Sequence, residues 1–463
     1  MDFWGSDVWG LLSIISILLL SLILANVLKR VVPFIGKSLI PTSVLAGLML
    51  LIISSVYTAF TDKNIFNGQA LGGNGIDVLE IITYHALALG FIAQSLQTSE
   101  KKLTKKRAVE IFDTGVTTVS TYLLQAVLGL GITILISLFI MPTLFTASGV
   151  ILPFGFGQGT GQALNYGTIY QKQHGFTGGA DFGLSVAALG FLSASIGGVI
   201  HLNILKKRGR KFGQLSEGFA TKPVVVDEGG ETSNGSMDKF TFQVALIALA
   251  YAMAYGLMYA LGELLPGMKA TVYGFNFLFG VITATLVKVI FKALYKKSKV
   301  KKQYQNNYLL TRISNFCFDI MIVAGIAAIR LEAIKQYWHV LLVLGVVGLF
   351  STYFYNRLVA KKLFKDYQEE QFLVMYGMLT GTASTGVMLL RELDPEFKTP
   401  ANENLVLQNF PAIVFGFPLM LLATLAPEQP YLTLGILVAF FAVMNIILFR
   451  SFIFKKRAPK TEN

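Results

Sequence analysis

Residues 154–167 read Phe154-Gly155-Phe156-Gly157-Gln158-Gly159-Thr160-Gly161-Gln162-Ala163-Leu164-Asn165-Tyr166-Gly167, with glycine at every second position from 155 to 161. The runs on either side are apolar enough to be membrane helices. Glycine is a poor helix former, by about 1 kcal/mol per residue against alanine. Such a cluster inside hydrocarbon marks a place where the helix stops. Non-helical backbone at membrane depth is tolerated only when buried in protein or lining a watery cavity. Whether this segment crosses the bilayer or turns back decides the fold.

The solvent follows from composition. Hydrophobic residues make up 54% of the 463, and charged residues only 14%, against about 25% in soluble chains. Apolar runs of about twenty residues recur along the chain, each long enough to span a bilayer. We place spans at 8–28, 39–60, 78–97, 115–140, 181–204, 239–262, 270–294, 309–330, 336–358, 404–425 and 431–452. The first follows an acidic, lysine-free start, which is not the basic leader of a cleaved signal peptide. The net charge of +13 reads as positive-inside loops rather than as a nucleic-acid footprint. The lone Cys317 has no partner for an intrachain disulfide, and no Cys/His spacing resembles a metal site.

Two further apolar stretches, 146–170 and 371–391, are interrupted by Gly, Thr and Ser. If each enters and leaves on one side, the basic clusters at Lys29-Arg30, Lys101–Arg107, Lys206–Lys211, Lys296–Lys302, Lys361–Lys365 and Lys455–Arg457 share a face. Of the 39 Lys and Arg, only Lys63, Lys172, Lys269, Arg330 and Lys335 then lie on the other. A single crossing at either stretch would flip every later cluster. The charge bias therefore selects two re-entrant hairpins, eleven spans, an outside N-terminus and a cytoplasmic C-terminus.

That order contains a repeat. An offset of 222 residues aligns Phe154, Gly155, Gly159 and Thr160 with Tyr376, Gly377, Gly381 and Thr382. The expected fold is an all-α polytopic membrane protein. It has two inverted repeats of five transmembrane helices plus a re-entrant hairpin each, and one extra C-terminal helix. Residues 1–211 form the first repeat with hairpin 146–170, and 212–238 a cytoplasmic linker. The second repeat is 239–426 with hairpin 371–391, and 427–463 holds the extra helix and a basic tail.

Inverted repeats with broken helices at midplane are the pattern of secondary transporters. Tip glycines let the backbone turn and a ligand approach. The N–H groups of half-helices favour anions, and freed carbonyls coordinate Na⁺. Candidate substrate residues are Gly157, Gln158, Gly159, Thr160 and Gly161 in the first hairpin, and Gly381, Thr382, Ser384 and Thr385 in the second. Candidate Na⁺ ligands are Asp319, Thr160, Thr380 and Thr382. The competing reading is tight helix packing on small residues. A phosphate cradle is excluded, because no Lys follows the glycines and no βαβ context exists.

Asp319 lies mid-span, where a charge is costly; it serves either as a ligand or as a hydrogen-bonded pin between helices. His85 reads as a packing histidine. Glu80 and Arg312 lie near span ends and snorkel. Arg391 would suit a substrate carboxylate, but at 1.5 Å per residue it falls about 15 Å from the tip, near the inner rim.

At these residues the chain resembles the bacterial sodium/glutamate symporter family. Gly157-Gln158-Gly159-Thr160-Gly161 is similar to the Gly-His-Gly-Thr-Gly core of that family's first hairpin. Gly175-Phe176-Thr177, Gly197-Gly198, and Ile40-Pro41 with Val44 and Gly47-Leu48 also match. The chain departs at Phe156 and Gln158, where the family has Gly and commonly His. In Gly377–Thr385, Leu379 and Ser384 replace a Gly and a Pro. The resemblance implies Na⁺-driven uptake of L-glutamate by a homodimer whose hairpin-bearing domain moves against a scaffold.

The expected function is Na⁺-coupled import of L-glutamate or a related small organic anion across the plasma (bacterial inner) membrane by elevator-like alternating access. A di- or tricarboxylate, or a neutral amino acid, is the alternative cargo. The partners are the solute, Na⁺ and the bilayer, with no nucleic acid and no cofactor. A channel needs a continuous polar pore, and a membrane-embedded enzyme needs paired ionisable groups at one depth; neither pattern stands out. A monoanionic amino acid moving with a single Na⁺ carries no net charge. Each further Na⁺ adds about 2.3 kcal/mol per 100 mV.

Overall fold

The computed structural model describes residues 3–36, 39–97, 104–209, 237–297, 305–395 and 397–453. The linker expected at 212–238 lies outside these residues up to position 236, as does the tail from 454. The described chain is all-helical, with no strand. Helices of seven residues or more are α1 (Ser6–Val31), α2 (Thr42–Thr61), α3 (Gly75–Ser95), α4 (Lys105–Phe139), α5 (Ile151–Gln158), α6 (Thr160–His174), α7 (Gly179–Lys207) and α8 (Lys239–Leu264). They continue with α9 (Asn276–Lys297), α10 (Asn307–Ala327), α11 (Trp338–Leu363), α12 (Gln368–Thr380), α13 (Ala383–Leu393), α14 (Ala401–Leu407), α15 (Asn409–Leu425) and α16 (Pro430–Leu448).

Ten helices among the described residues are long and apolar enough to cross a membrane. The chain is a multi-pass membrane protein. The span expected at 404–425 is bent by 52° between α14 and α15, and it makes an eleventh candidate span if the bent pair is one crossing. Pro411 has no N–H to donate to the Leu407 carbonyl four residues back, and its ring crowds that carbonyl, so α14 stops at Leu407.

The helices sort into two compact units, each drawing on both halves of the chain. The first holds residues 1–29, 42–101 and 211–329; the second holds 30–41, 102–210 and 330–463. The halves themselves are therefore not the compact units.

In the first unit, Ile92, Leu96, Leu246, Ile247, Ala250 and Leu310 form a buried core from α3, α8 and α10. Gly90 lets the Phe318 ring approach: a Cβ there would lie 2.6 Å from it. The Ser314 hydroxyl donates to the Gly90 carbonyl at 2.9 Å, joining α3 to α10.

The second unit contains α4–α7 and α11–α16. One face of α4 is polar along its length: Glu110, Thr114, Thr118, Thr121 and Gln125 recur every three or four residues, the spacing of a single helix face. Each meets a polar partner. Tyr367 donates to Glu110 at 3.0 Å, Gln371 to Thr114 at 3.3 Å, and Asn356 to Thr121 at 3.3 Å. Thr118 donates to the Gln408 carbonyl oxygen at 2.9 Å. The C-terminal α16 belongs to this unit, with the Tyr355 hydroxyl donating to Asn445 at 2.8 Å.

Candidate functional site

The first glycine-rich stretch is two helices with a break between them. α5 ends at Gln158, α6 starts at Thr160, and Gly159 between them has φ +79° and ψ −170°. That backbone conformation is one that side-chain-bearing residues rarely adopt. The arms fold back on one another, since the rings of Phe154 and Tyr166 stack with centroids 4.0 Å apart. The Tyr166 and Tyr170 hydroxyls donate to the Met420 and Ala423 carbonyls of α15 at 2.9 and 2.5 Å. α6 lies backbone to backbone with α7: a Cβ on Gly183 would sit 2.1 Å from the Ala163 carbonyl oxygen. Apart from half-buried Gln158, every residue from 151 to 167 is buried.

The second stretch breaks in the same way. α12 ends at Thr380, Gly381 follows, and Thr382 caps α13, its hydroxyl accepting from the Thr385 N–H at 3.3 Å. These arms also pack together: a Cβ on Gly386 would lie 2.4 Å from the Val374 carbonyl oxygen. The Tyr376 hydroxyl donates to the Ser193 carbonyl of α7 at 2.8 Å, and the Thr380 hydroxyl to the Tyr376 carbonyl at 2.6 Å.

The two breaks meet. A Cβ on Gly190 of α7 would lie 2.6 Å from the Thr380 carbonyl oxygen and 3.1 Å from the Phe156 Cα. Gly348 of α11 makes room for the Phe156 ring, 2.6 Å from where its own Cβ would be. From α4, the Tyr122 hydroxyl donates to the Gly157 carbonyl at 3.0 Å. About one turn on, the Gln125 amide donates to the Leu379 carbonyl at 3.0 Å and to Thr352 at 2.8 Å. Each break pairs a helix that ends in carbonyls with one that begins with N–H groups, so partial charges of both signs lie at each. No Lys, Arg or His occurs between 151 and 171, between 368 and 390, or between 108 and 139.

All nine candidate substrate residues lie in the second unit. Gly157, Gly159, Thr160, Gly161, Gly381 and Thr385 are buried, Gln158 and Thr382 half-buried, and Ser384 exposed. Among the candidate Na⁺ ligands, Thr160 and Thr380 are buried in this unit with Thr382. Asp319 belongs to α10 of the first unit, half-buried and hydrogen-bonded by Ser43. The structure therefore does not gather that cation set within one unit. His85 pairs with the Tyr251 hydroxyl at 2.6 Å in the first unit, and Arg391 is exposed over the Phe397 ring.

Among the described residues no three His, Cys, Asp or Glu side chains group as a metal site. The donors at the breaks are carbonyl and hydroxyl oxygens, which suit a hard monovalent or alkaline-earth cation and not a transition metal.

Three features escape a reading of the sequence. Tyr122 and Gln125 hold helix ends from α4. Gln162 is buried with both amide atoms unpartnered. A buried ionic group also supports the start of α12. The Glu369 carboxylate accepts from both guanidinium nitrogens of Arg357, at 2.5 and 2.6 Å, and pairs with His201 Nε2 at 2.9 Å, while His201 Nδ1 lies 2.8 Å from the Tyr353 hydroxyl. The only one of these with a sequence signal is α4, whose polar residues repeat at helical spacing inside an apolar run.

A separate recess of about 320 Å³ lies among Gln171, Thr177, Asp181, Arg330 and Glu332. Its fully buried Asp181 is already matched by Arg330 at 2.8 Å. No family model, curated protein or solved structure matches the chain. The geometry of the two breaks carries the functional argument.

Proposed function

We propose that the protein is a cation-coupled secondary transporter that alternates access around the two helix breaks. Each break is read as a re-entrant hairpin, one in each of two inverted repeats, with the N-terminus outside and the C-terminus cytoplasmic. The observation that carries this reading is that breaks from opposite halves of the chain meet at Gly190 within one compact unit. Carbonyl ends are suited to Na⁺ and N–H ends to a carboxylate. The interleaved units support an elevator-like mechanism. The first three long helices of each half fall in one unit, and the hairpin-bearing remainder in the other. The resemblance to sodium/glutamate symporters points to a small organic anion such as L-glutamate, carried by a homodimer.

The test is uptake by proteoliposomes of labelled amino acids and carboxylates, with and without an inward Na⁺ gradient. Gradient-dependent accumulation is expected. Equilibration without accumulation across the panel would replace the transporter reading with a channel.

A further inference from the structure

Gln162 is the third residue of α6 and is 1% exposed, yet neither its Oε1 nor its Nε2 has a hydrogen-bond partner. Burying an amide without partners is strongly unfavourable, and interiors seldom contain one. Both atoms are unsatisfied, so the observation is the same whichever way the amide is turned. Long side chains on a helix lean toward its N-terminus. At the third position of α6, Gln162 lies within a turn of the Gly159 break, where helix geometry leaves the N–H groups of Gly161 and Gln162 without intrahelical acceptors. Asn165, a second buried carboxamide, follows three residues later on the same face of α6.

The missing partner must both donate and accept. A carboxylate is matched by the N–H groups at the start of α6, but it is the wrong match for Gln162. It would accept from Nε2 and leave Oε1 against a negative charge. No basic side chain between 151 and 171 or between 368 and 390 offsets a second carboxylate near the breaks. A carboxamide satisfies both atoms, accepting from Nε2 and donating to Oε1.

We propose that Gln162 reads the polar end of the transported solute and that this end is a neutral carboxamide, as in L-glutamine or L-asparagine. The solute's carboxylate faces the N–H groups at the helix starts. This rests on the transporter reading above and narrows its cargo.

The test uses the full-length protein in detergent with Na⁺, measuring thermal shifts and calorimetric affinities for L-glutamine, L-asparagine, L-glutamate, L-aspartate and succinate. Wild type is expected to bind a carboxamide at least about tenfold more tightly than its acidic counterpart, the scale of one buried hydrogen bond. Gln162→Leu should erase that preference while raising the melting temperature of the ligand-free protein, because an unpaired buried amide is removed. If Gln162→Leu does not fold, Gln162→Met makes the same comparison. Tighter binding of glutamate, aspartate or succinate by wild type overturns the carboxamide assignment and leaves the transporter intact. So does a carboxamide preference that survives in both variants. Absence of binding by all five, together with absence of Na⁺-driven uptake, defeats both readings.

Discussion

The two helix breaks use the same parts and hold them differently. The first is fixed on every side: ten of the fifteen residues of α6 are buried, its arms stack through Phe154 and Tyr166, and α7 meets it backbone to backbone. In the second, α12 is almost wholly buried, whereas α13 buries only Thr385, Gly386, Leu389 and Leu390, and Ala383 and Ser384 at its start are exposed. On the transporter reading, this difference predicts that α5–α6 stays fixed while α13, which has the least buried contact to lose, is the arm that moves.

The base of α12 is the sharpest place to break that contrast. Arg357→Leu leaves the buried Glu369 carboxylate without its bidentate partner and should destabilise by about 3–5 kcal/mol, read as a fall in the unfolding temperature. Replacing both residues by Leu should recover most of the loss. A double variant as unstable as the single one would mean that the pair is not what anchors α12.

Next in size is the glycine pair. Gly159→Ala forces a side chain into φ +79° and should destabilise by about 1–3 kcal/mol. Gly381 has φ −142°, and a methyl there would lie 3.0 Å from both the Gly377 carbonyl oxygen and the Thr385 hydroxyl and 3.3 Å from the Thr385 Cβ. Gly381→Ala should therefore retain more stability and lose ligand response instead. Equal destabilisation by the two would erase the distinction between a fixed and a movable tip.

The sequence foreshadowed the parts of this arrangement that depend on local chemistry. Apolar runs located the long helices, and the Gly/Thr clusters located both breaks to within a few residues. The bend before Pro411 was missed because hydropathy is blind to a proline within an apolar run. Glu369 and Arg357 are twelve residues apart, but His201 is 168 residues from Glu369, and no local pattern connects them. Asp319 and the hairpin threonines all lie mid-span yet fall in different compact units; depth alone does not reveal which unit a helix joins. Gln162 lies inside the most informative stretch, but its significance rests on hydrogen-bond partners it lacks, which no sequence pattern displays.

A smaller effect separates the two α4 side chains that hold helix ends. Tyr122→Phe removes one donor, to the Gly157 carbonyl, and should lower stability by about 0.5–1.5 kcal/mol. Gln125→Leu removes two bonds, to Leu379 and Thr352, and should lower it further. It should also shift the Na⁺ concentration that half-saturates thermal stabilisation, because the Leu379 carbonyl then loses its orientation. Identical Na⁺ responses in wild type and Gln125→Leu would remove that carbonyl from the cation site.

The smallest perturbation tests the contrast most directly, because it leaves stability almost unchanged and reads access alone. In a Cys317→Ser background, Ser384→Cys places a thiol on an exposed position of α13, and Thr160→Cys places one at a fully buried position of α6. If α13 is the movable arm of a hairpin entered from the cytoplasm, a membrane-impermeant maleimide should label position 384 from the inner side. Na⁺ with a bound solute should slow that reaction by closing the arm over the site. Position 160 should stay unlabelled from either side. Controls at Gly68→Cys and Thr399→Cys, expected to label from outside and inside respectively, fix the sidedness. Labelling of position 399 from outside makes the second stretch a full crossing, and the inverted order of the halves is lost. Equal labelling at 384 and 160 leaves the topology intact but makes both tips mobile, and the division into a static and a moving half of the site then fails.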